Sequence, residues 1–292
     1  MGNRNAVLAA VAATTAALAI AAAGLAAAAV FGGWYDVAAT QQHWKPTYAV
    51  LETAMRHAVK LRARDIAEPP LADEAMVLRG AGCYRDKCEL CHGGPGVAPG
   101  DPGQSMQPLP GPLVDARRHW RARELYWITR NGIRMSGMPG WEFRLRDQEL
   151  WEVVAFLQRL PELAAPQYAE LLGRAPPSPA CGPEAQRPAV PPVTVAAPAP
   201  PDVERGRRAL NQHACNACHI IPGVTGSNVY VGPPLEGIAS RQFIAGTLLN
   251  SQDNMVRWIL QTQQVKPGTA MPQLGVQEHD ARDMAGYLAT LR

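Results

Sequence analysis

The chain has almost no excess of one charge, no convincing β-strand signal and, between Arg4 and Asp36, no charged residue at all. Each absence excludes something. Its 292 residues carry 28 basic and 25 acidic side chains, a net charge of +3. Lys and Arg outnumber Asp and Glu by only 12 to 11 over residues 75–172 and by 8 to 6 over 203–292. No basic run exists to displace counterions from a nucleic acid, so no nucleic-acid partner is indicated, and a partner's identity is not written in charge. Hydrophobic residues make up 47% of the chain. Much of that is alanine near the N-terminus, so one large core is not implied.

The charge-free opening bears on compartment. Ala6 to Phe31 is an almost unbroken apolar run. Roughly 20 apolar residues span a bilayer as a helix, whereas a cleaved secretory signal has an apolar region of only about 7–15. The expectation is an uncleaved anchor over residues 1–35. Ala27-Ala28-Ala29 also offers a small-residue cleavage pattern, and a buried soluble helix is disfavoured by the length of the run. Arg4 and the terminal amine favour an inside N-terminus, while Lys45, Arg56, Lys60, Arg62 and Arg64 dilute that bias.

Residues 36–74 read as a neck containing an amphipathic helix from Tyr48, with Val50, Met55, Val59 and Leu61 assigned to one side. It suits packing on a following domain or lying on lipid headgroups. Ten of the 29 residues from 173 to 201 are proline. A stretch so poor in backbone donors and large side chains builds no core, so 173–202 is expected to be an extended spacer. It separates two segments, 75–172 and 203–292, with the same order of signals. Each has a glycine-bearing helix, a Cys-x-x-Cys-His motif, a Gly/Pro-rich loop, a Trp-bearing helix, a Met-Pro turn and a last amphipathic helix. The reading is an internal duplication of one all-α module.

The motif is Cys88-Glu-Leu-Cys91-His92, repeated as Cys215-Asn-Ala-Cys218-His219. Two thiols three residues apart on a helical turn can each add to a vinyl group of a haem, and the adjacent histidine then falls beneath the iron. A zinc ribbon sets its cysteine pairs roughly 15–20 residues apart, and a thioredoxin-like dithiol has no need of the histidine. Two covalently attached haems c are therefore expected. For the sixth ligand, Met138 precedes Pro139 and lies 46 residues after His92, and Met271 precedes Pro272 and lies 52 residues after His219. Proline stiffens each loop, so the thioether is presented with little entropy left to lose. Met135 and Met106 compete in the first segment, since methionine is ordinarily core filler.

On these residues both segments resemble class I cytochrome c domains: Gly80 or Gly206 in the first helix, the haem motif, a Gly/Pro turn and the Met loop. The resemblance implies that Trp151, Phe156 and Tyr287 of the last helices pack against the first helices. Val231-Gly-Pro-Pro-Leu-Glu-Gly-Ile, Asn254-Met-Val-Arg-Trp-Ile and Lys266-Pro-Gly-Thr-Ala-Met-Pro make the second segment similar to the cytochrome c domain fused to subunit II of some haem-copper oxidases. It implies that Pro233 offers its carbonyl to the proximal histidine. In the first segment the turn Leu109-Pro110-Gly-Pro112-Leu leaves that carbonyl ambiguous.

The expected whole is all-α: an N-terminal transmembrane helix, then two tandem class I cytochrome c domains joined by a Pro-rich linker. Such a chain is an electron carrier of a bacterial inner membrane with its haem domains in the periplasm. Its partners would be redox proteins, with a terminal oxidase first and a periplasmic dehydrogenase as the alternative. The paired-cysteine copper motif of an oxidase subunit II is missing, which suits a donor or accessory subunit. A dihaem peroxidase needs one open iron, and the Met-Pro pair in both segments argues against it. The remaining cysteines, Cys83 and Cys181, form a disulfide or stay separate. Histidines 43, 57, 119, 213 and 279 read as surface or capping residues, with His213 the one near a haem motif. The spacer suggests a second domain that swings on its tether, against the alternative of two rigidly docked modules.

Overall fold

The computed structural model describes residues 2–38, 44–175, 181, 200–225 and 231–292. His43 and all of the spacer between 176 and 199 except Cys181 lie outside them. The N-terminal run is one helix, α1 (Gly2–Phe31), whose span from Arg4 to Phe31 is long and apolar enough to cross a membrane. At 1.5 Å per residue those 28 residues reach about 42 Å, more than a hydrocarbon core requires. Its two hydroxyls are internally satisfied: Thr14 and Thr15 donate to the carbonyls of Ala10 and Val11 at 2.9 and 2.8 Å.

The neck is a helix, α2 (Lys45–Ala63), and it packs on the first module. The face that does so is not the one expected. Val59 and Ala63 are buried while Val50 and Leu61 are 68% and 59% exposed. Val50 and Leu61 lie on the opposite side of a 3.6-residue helix from Val59, so the hydrophobic residues of α2 do not form a single stripe. Arg56 instead covers Trp120, and Arg123 ties Glu68 and the Arg64 carbonyl to the module.

The first module comprises α3 (Glu74–Lys87), α4 (Glu89–His92), α5 (Asp101–Gln104), α6 (Ala116–His119), α7 (Ala122–Asn131), α8 (Asp147–Arg159) and α9 (Ala165–Arg174). The second comprises α10 (Val203–Gln212), the two-residue strands β1 (Phe243–Ile244) and β2 (Leu248–Leu249), α11 (Gln252–Leu260), α12 (Thr262–Val265) and α13 (Glu278–Leu288). Among the described residues the β1–β2 hairpin is the one pair of strands, and strands of two residues leave no alternation to detect. Each module opens on an aspartate cap: Asp73 accepts from Ala75 N, and Asp202 from Arg205 N.

In the first module α3 crosses α8, in the second α10 crosses α13, and glycine sits at each crossing. A β-carbon on Gly80 would lie 1.9 Å from the Glu152 carbonyl oxygen of α8. On Gly206 it would lie 1.9 Å from the Asp283 carbonyl oxygen of α13. Backbone thus meets backbone, and only glycine permits it. Around the first crossing Ala81 and Tyr84 pack with Val153, Phe156 and Leu160. Around the second, Ala209 and Leu210 pack with Ala281, Met284 and Leu288. The expected aromatic packing holds for Phe156, 5.0 Å from Tyr84 between ring centroids. Trp151 instead stacks on Tyr126 of α7 at 4.3 Å, and Tyr287 reaches the turn after the second motif, donating to Pro222 O at 2.6 Å.

Cys83 and Cys181 form a disulfide, which fastens the spacer to α3. The modules also touch directly. Phe143 of the first is buried within the hydrophobic cluster of the second, and Arg144 donates to Gln212 O at 3.0 Å. The docked arrangement, not a second domain free on its tether, is what these contacts describe.

Candidate haem-binding sites

In the first module α3 runs into α4 at Cys88. Backbone bonds from Cys91 N (3.1 Å) and His92 N (2.9 Å) to Cys88 O wrap Cys88, Cys91 and His92 onto one helical turn. Gly93, at φ 62°, then reverses the chain into a small bridge between Gly94 and Val97. The second module repeats this: His219 N bonds to Cys215 O at 2.9 Å, and a bridge joins Ile221 to Val224. Both bridges start two residues beyond the histidine, which is the duplication written in backbone. The second motif differs in being a 3-10 turn, Cys215–Ala217, entered through Ala214 at φ 57°.

Each histidine is held by its Nδ1. His219 Nδ1 lies 2.7 Å from Pro233 O, the carbonyl the resemblance assigned to it. His92 Nδ1 lies 2.8 Å from Gly111 O, so the ambiguous Pro-Gly-Pro turn resolves on the glycine between its two prolines. An Nδ1–H committed to a carbonyl fixes the tautomer and leaves Nε2 with the lone pair that binds a metal. Burial lowers the His92 pKa, with the Gly111 bond opposing it in part, which also favours the neutral ring. Gly232 is needed beside His219, because a β-carbon there would lie 2.4 Å from the ring Cε1.

Cys88, Cys91, Cys215 and Cys218 are all free thiols. Burial pushes Cys88 up to about 12, helped by the neighbouring Cys91, and pushes Cys215 up to about 11. Cys88 and Cys215 are therefore protonated at neutral pH, the reverse of the low-pKa thiolate in a redox dithiol. Among the described residues no group of three His, Cys, Asp or Glu could hold a bare metal ion.

The methionine loops are braced differently. In the first, Ile133 N donates to Met138 O at 3.1 Å, and Trp141 N and Glu142 N bond back to Thr129 O and Arg130 O of α7. Met138 is half-buried, while its competitor Met135 is 84% exposed at a left-handed φ of 61°. Met106 lies beside Gly137, its sulfur 3.1 Å from where a β-carbon would sit. In the second, the Gln263 amide donates to Met271 O at 2.8 Å and to Thr269 O at 2.9 Å. Gln263 is a positioning residue the sequence did not reveal, because an exposed-looking glutamine on a short helix carries no pattern. His213, read as a surface or capping residue, is the C-cap of α10 and lies buried rather than at the surface. It is 4% exposed, and its Nε2 lies 3.3 Å from Asp280 Oδ2.

Residues 75–157 match the family of cytochrome c oxidase, cbb3-type, subunit III, and residues 203–292 match the cytochrome c family. The two modules are therefore cytochrome c-type domains, which supports a dihaem cytochrome c. Such domains imply electron transfer. Such domains carry covalently bound haem c, and a count of two is consistent with two domains. The chain is also similar to the cytochrome c oxidase subunit 2 of Alkalihalophilus pseudofirmus, 32% identical over 89 residues. That stretch is 30% of this chain and 25% of that subunit, so the chain spans about a quarter of the length of the curated relative it matches. No solved structure matches the chain significantly.

Proposed function

We propose that this chain is a membrane-anchored carrier that passes electrons through two six-coordinate His/Met haems c to a terminal oxidase of the same membrane. The observation that carries the reading is the paired geometry of His92 and His219, each on a Cys-x-x-Cys-His turn with Nδ1 on a loop carbonyl. Cys88 and Cys91, and Cys215 and Cys218, hold the haems as thioethers. His92 and His219 would each give their Nε2 to an iron, and Met138 and Met271 would each give a thioether. When bound, haem c supplies a one-electron couple, and a thioether ligand raises its potential and closes the iron to substrates. The chain's own contribution is to hold the two imidazoles in one tautomer and to brace the two thioethers. The oxidase assignment rests on the names of the proteins it resembles, both of them oxidase subunits. Helix α1 supports an anchor, and haem attachment supports placing both modules in the periplasm.

Mass spectrometry of the denatured chain is expected to find two haems, and one or none defeats the reading. Met138→Ala and Met271→Ala are each expected to remove part of the near-infrared band of Met-ligated ferric haem. If Met135→Ala removes it and Met138→Ala does not, the first ligand is misassigned. Subunits that co-purify from solubilised membranes decide between an oxidase and a dehydrogenase.

A further inference from the structure

The segment that joins the two modules is also the segment that links their candidate haem sites. It begins at the Met138 loop. Three backbone hydrogen bonds, from Ile133 N to Met138 O, Trp141 N to Thr129 O and Glu142 N to Arg130 O, hang residues 138–142 on the end of α7. The next residue, Phe143, leaves its own module. It is 7% exposed and packs in the cluster formed by Ala209, Ile244, Met284 and the rest of the second core. Its ring lies 6.0 Å from the His213 ring, edge-on, and the Arg205 guanidinium sits 5.1 Å over it. His213 stands two residues before Cys215.

Flanking side chains lock the same joint. Glu142 accepts from Arg130 of its own module at 3.1 Å and from Arg208 of the other at 3.2 Å. Arg144 reaches across and donates to Gln212 O at 3.0 Å. Asp280 and Asp283 of α13 hold Arg205 in place beneath the ring. A buried aromatic anchor ringed by charge-assisted hydrogen bonds is the pattern of a specific interface, not of an incidental touch.

We propose that Glu142-Phe143-Arg144 is a fixed inter-module joint that couples the two haem sites, setting the ligand loop of the first against the cysteine motif of the second. The three residues act as positioning residues. They make the two modules a single conductor, in which one electron leaves the iron of one module and reduces that of the other, with no proton or further reactant. This rests on the dihaem reading above, and the test separates the two.

The experiment uses the full haem-loaded chain in detergent, with Phe143→Ala, Phe143→Leu and Arg208→Glu. Arg208 is half-exposed on the far side of the joint, so its reversal opposes Glu142 without opening a core. Pulsed EPR of the oxidised wild type is expected to give one well-defined iron–iron dipolar coupling. Phe143→Ala and Arg208→Glu broaden or abolish it and slow inter-haem equilibration after photoreduction by an order of magnitude or more. Both absorption spectra and both midpoint potentials stay as in the wild type, and Phe143→Leu restores most of the rate. Wild-type coupling and rate in both disruptive variants overturn the joint. Loss of the haem spectra from Phe143→Ala alone shifts the decision to Arg208→Glu, where the same outcomes apply. A wild type lacking one or both haems fails the dihaem reading instead.

Discussion

Substituting Gly206 by alanine tests whether the helix crossing that organises each module is as tight as the backbone requires. The added methyl would sit 1.9 Å from the Asp283 carbonyl oxygen. A carbon normally stays about 3.3 Å from such an oxygen, so α10 and α13 must part by ~1.4 Å locally. The obstacle is main chain and cannot rotate away. Overpacking costs about 1–3 kcal/mol and occasionally more, and a rigid obstacle places this site at the upper end. Alanine returns roughly 1 kcal/mol of helix propensity. The net loss is ~2 kcal/mol, or about 8–16 °C in the melting temperature of a domain this size. Gly173 near the end of α9 is the control, since a β-carbon there meets nothing within 4 Å. Gly173→Ala is expected to stabilise by about 0.4–1 kcal/mol. The assay is thermal unfolding of the solubilised chain by far-ultraviolet circular dichroism, with the haem absorbance reporting each module. A Gly206→Ala protein that melts with the wild type or above it refutes the reasoning, and Gly80→Ala repeats the test in the first module.

Two further perturbations follow from the packing. Cys181→Ser opens a disulfide that joins residues 98 apart in sequence, so the first module is expected to lose about 2–4 kcal/mol; unchanged melting with and without reductant would show that the strap is slack. Asp280 is buried, and burial alone would raise its pKa, but the His213 hydrogen bond and the charges of His279 and Arg205 outweigh it and hold the carboxyl below the ordinary aspartate range. Its stabilisation is therefore complete above the unfolded pKa of about 3.9 and is lost as the pH falls through the lower folded value. Asp280→Asn is expected to cost ~3 kcal/mol at neutral pH, because Arg205 keeps Asp283 as a second partner, and to flatten the acid limb of a stability–pH curve. A variant as acid-sensitive as the wild type would contradict the assignment.

The sequence alone determined the chemistry and the order of parts. Cysteine and histidine at a fixed spacing are local facts, and the covalent geometry of a haem demands that spacing, so both motifs, the duplication and the helical class were legible without coordinates. Gly80 and Gly206 were visible as signatures, though not as the points where backbone meets backbone. What required the tertiary structure was every pairing between distant segments. The Pro-Gly-Pro turn could not say which carbonyl meets His92, because three neighbouring carbonyls differ only in where the fold aims them. Helix α2 carried apolar residues on two faces, and only its contact with the first module decided that Val59 and Ala63 go inside. Cys83 and Cys181 were two cysteines until α3 and the spacer were brought together. Above all, Glu142-Phe143-Arg144 reads in sequence as an ordinary loop with one aromatic. Its partners lie from some sixty to some one hundred and forty residues away on a second module, and a contact that distant leaves no periodicity, no spacing and no composition in the chain that makes it.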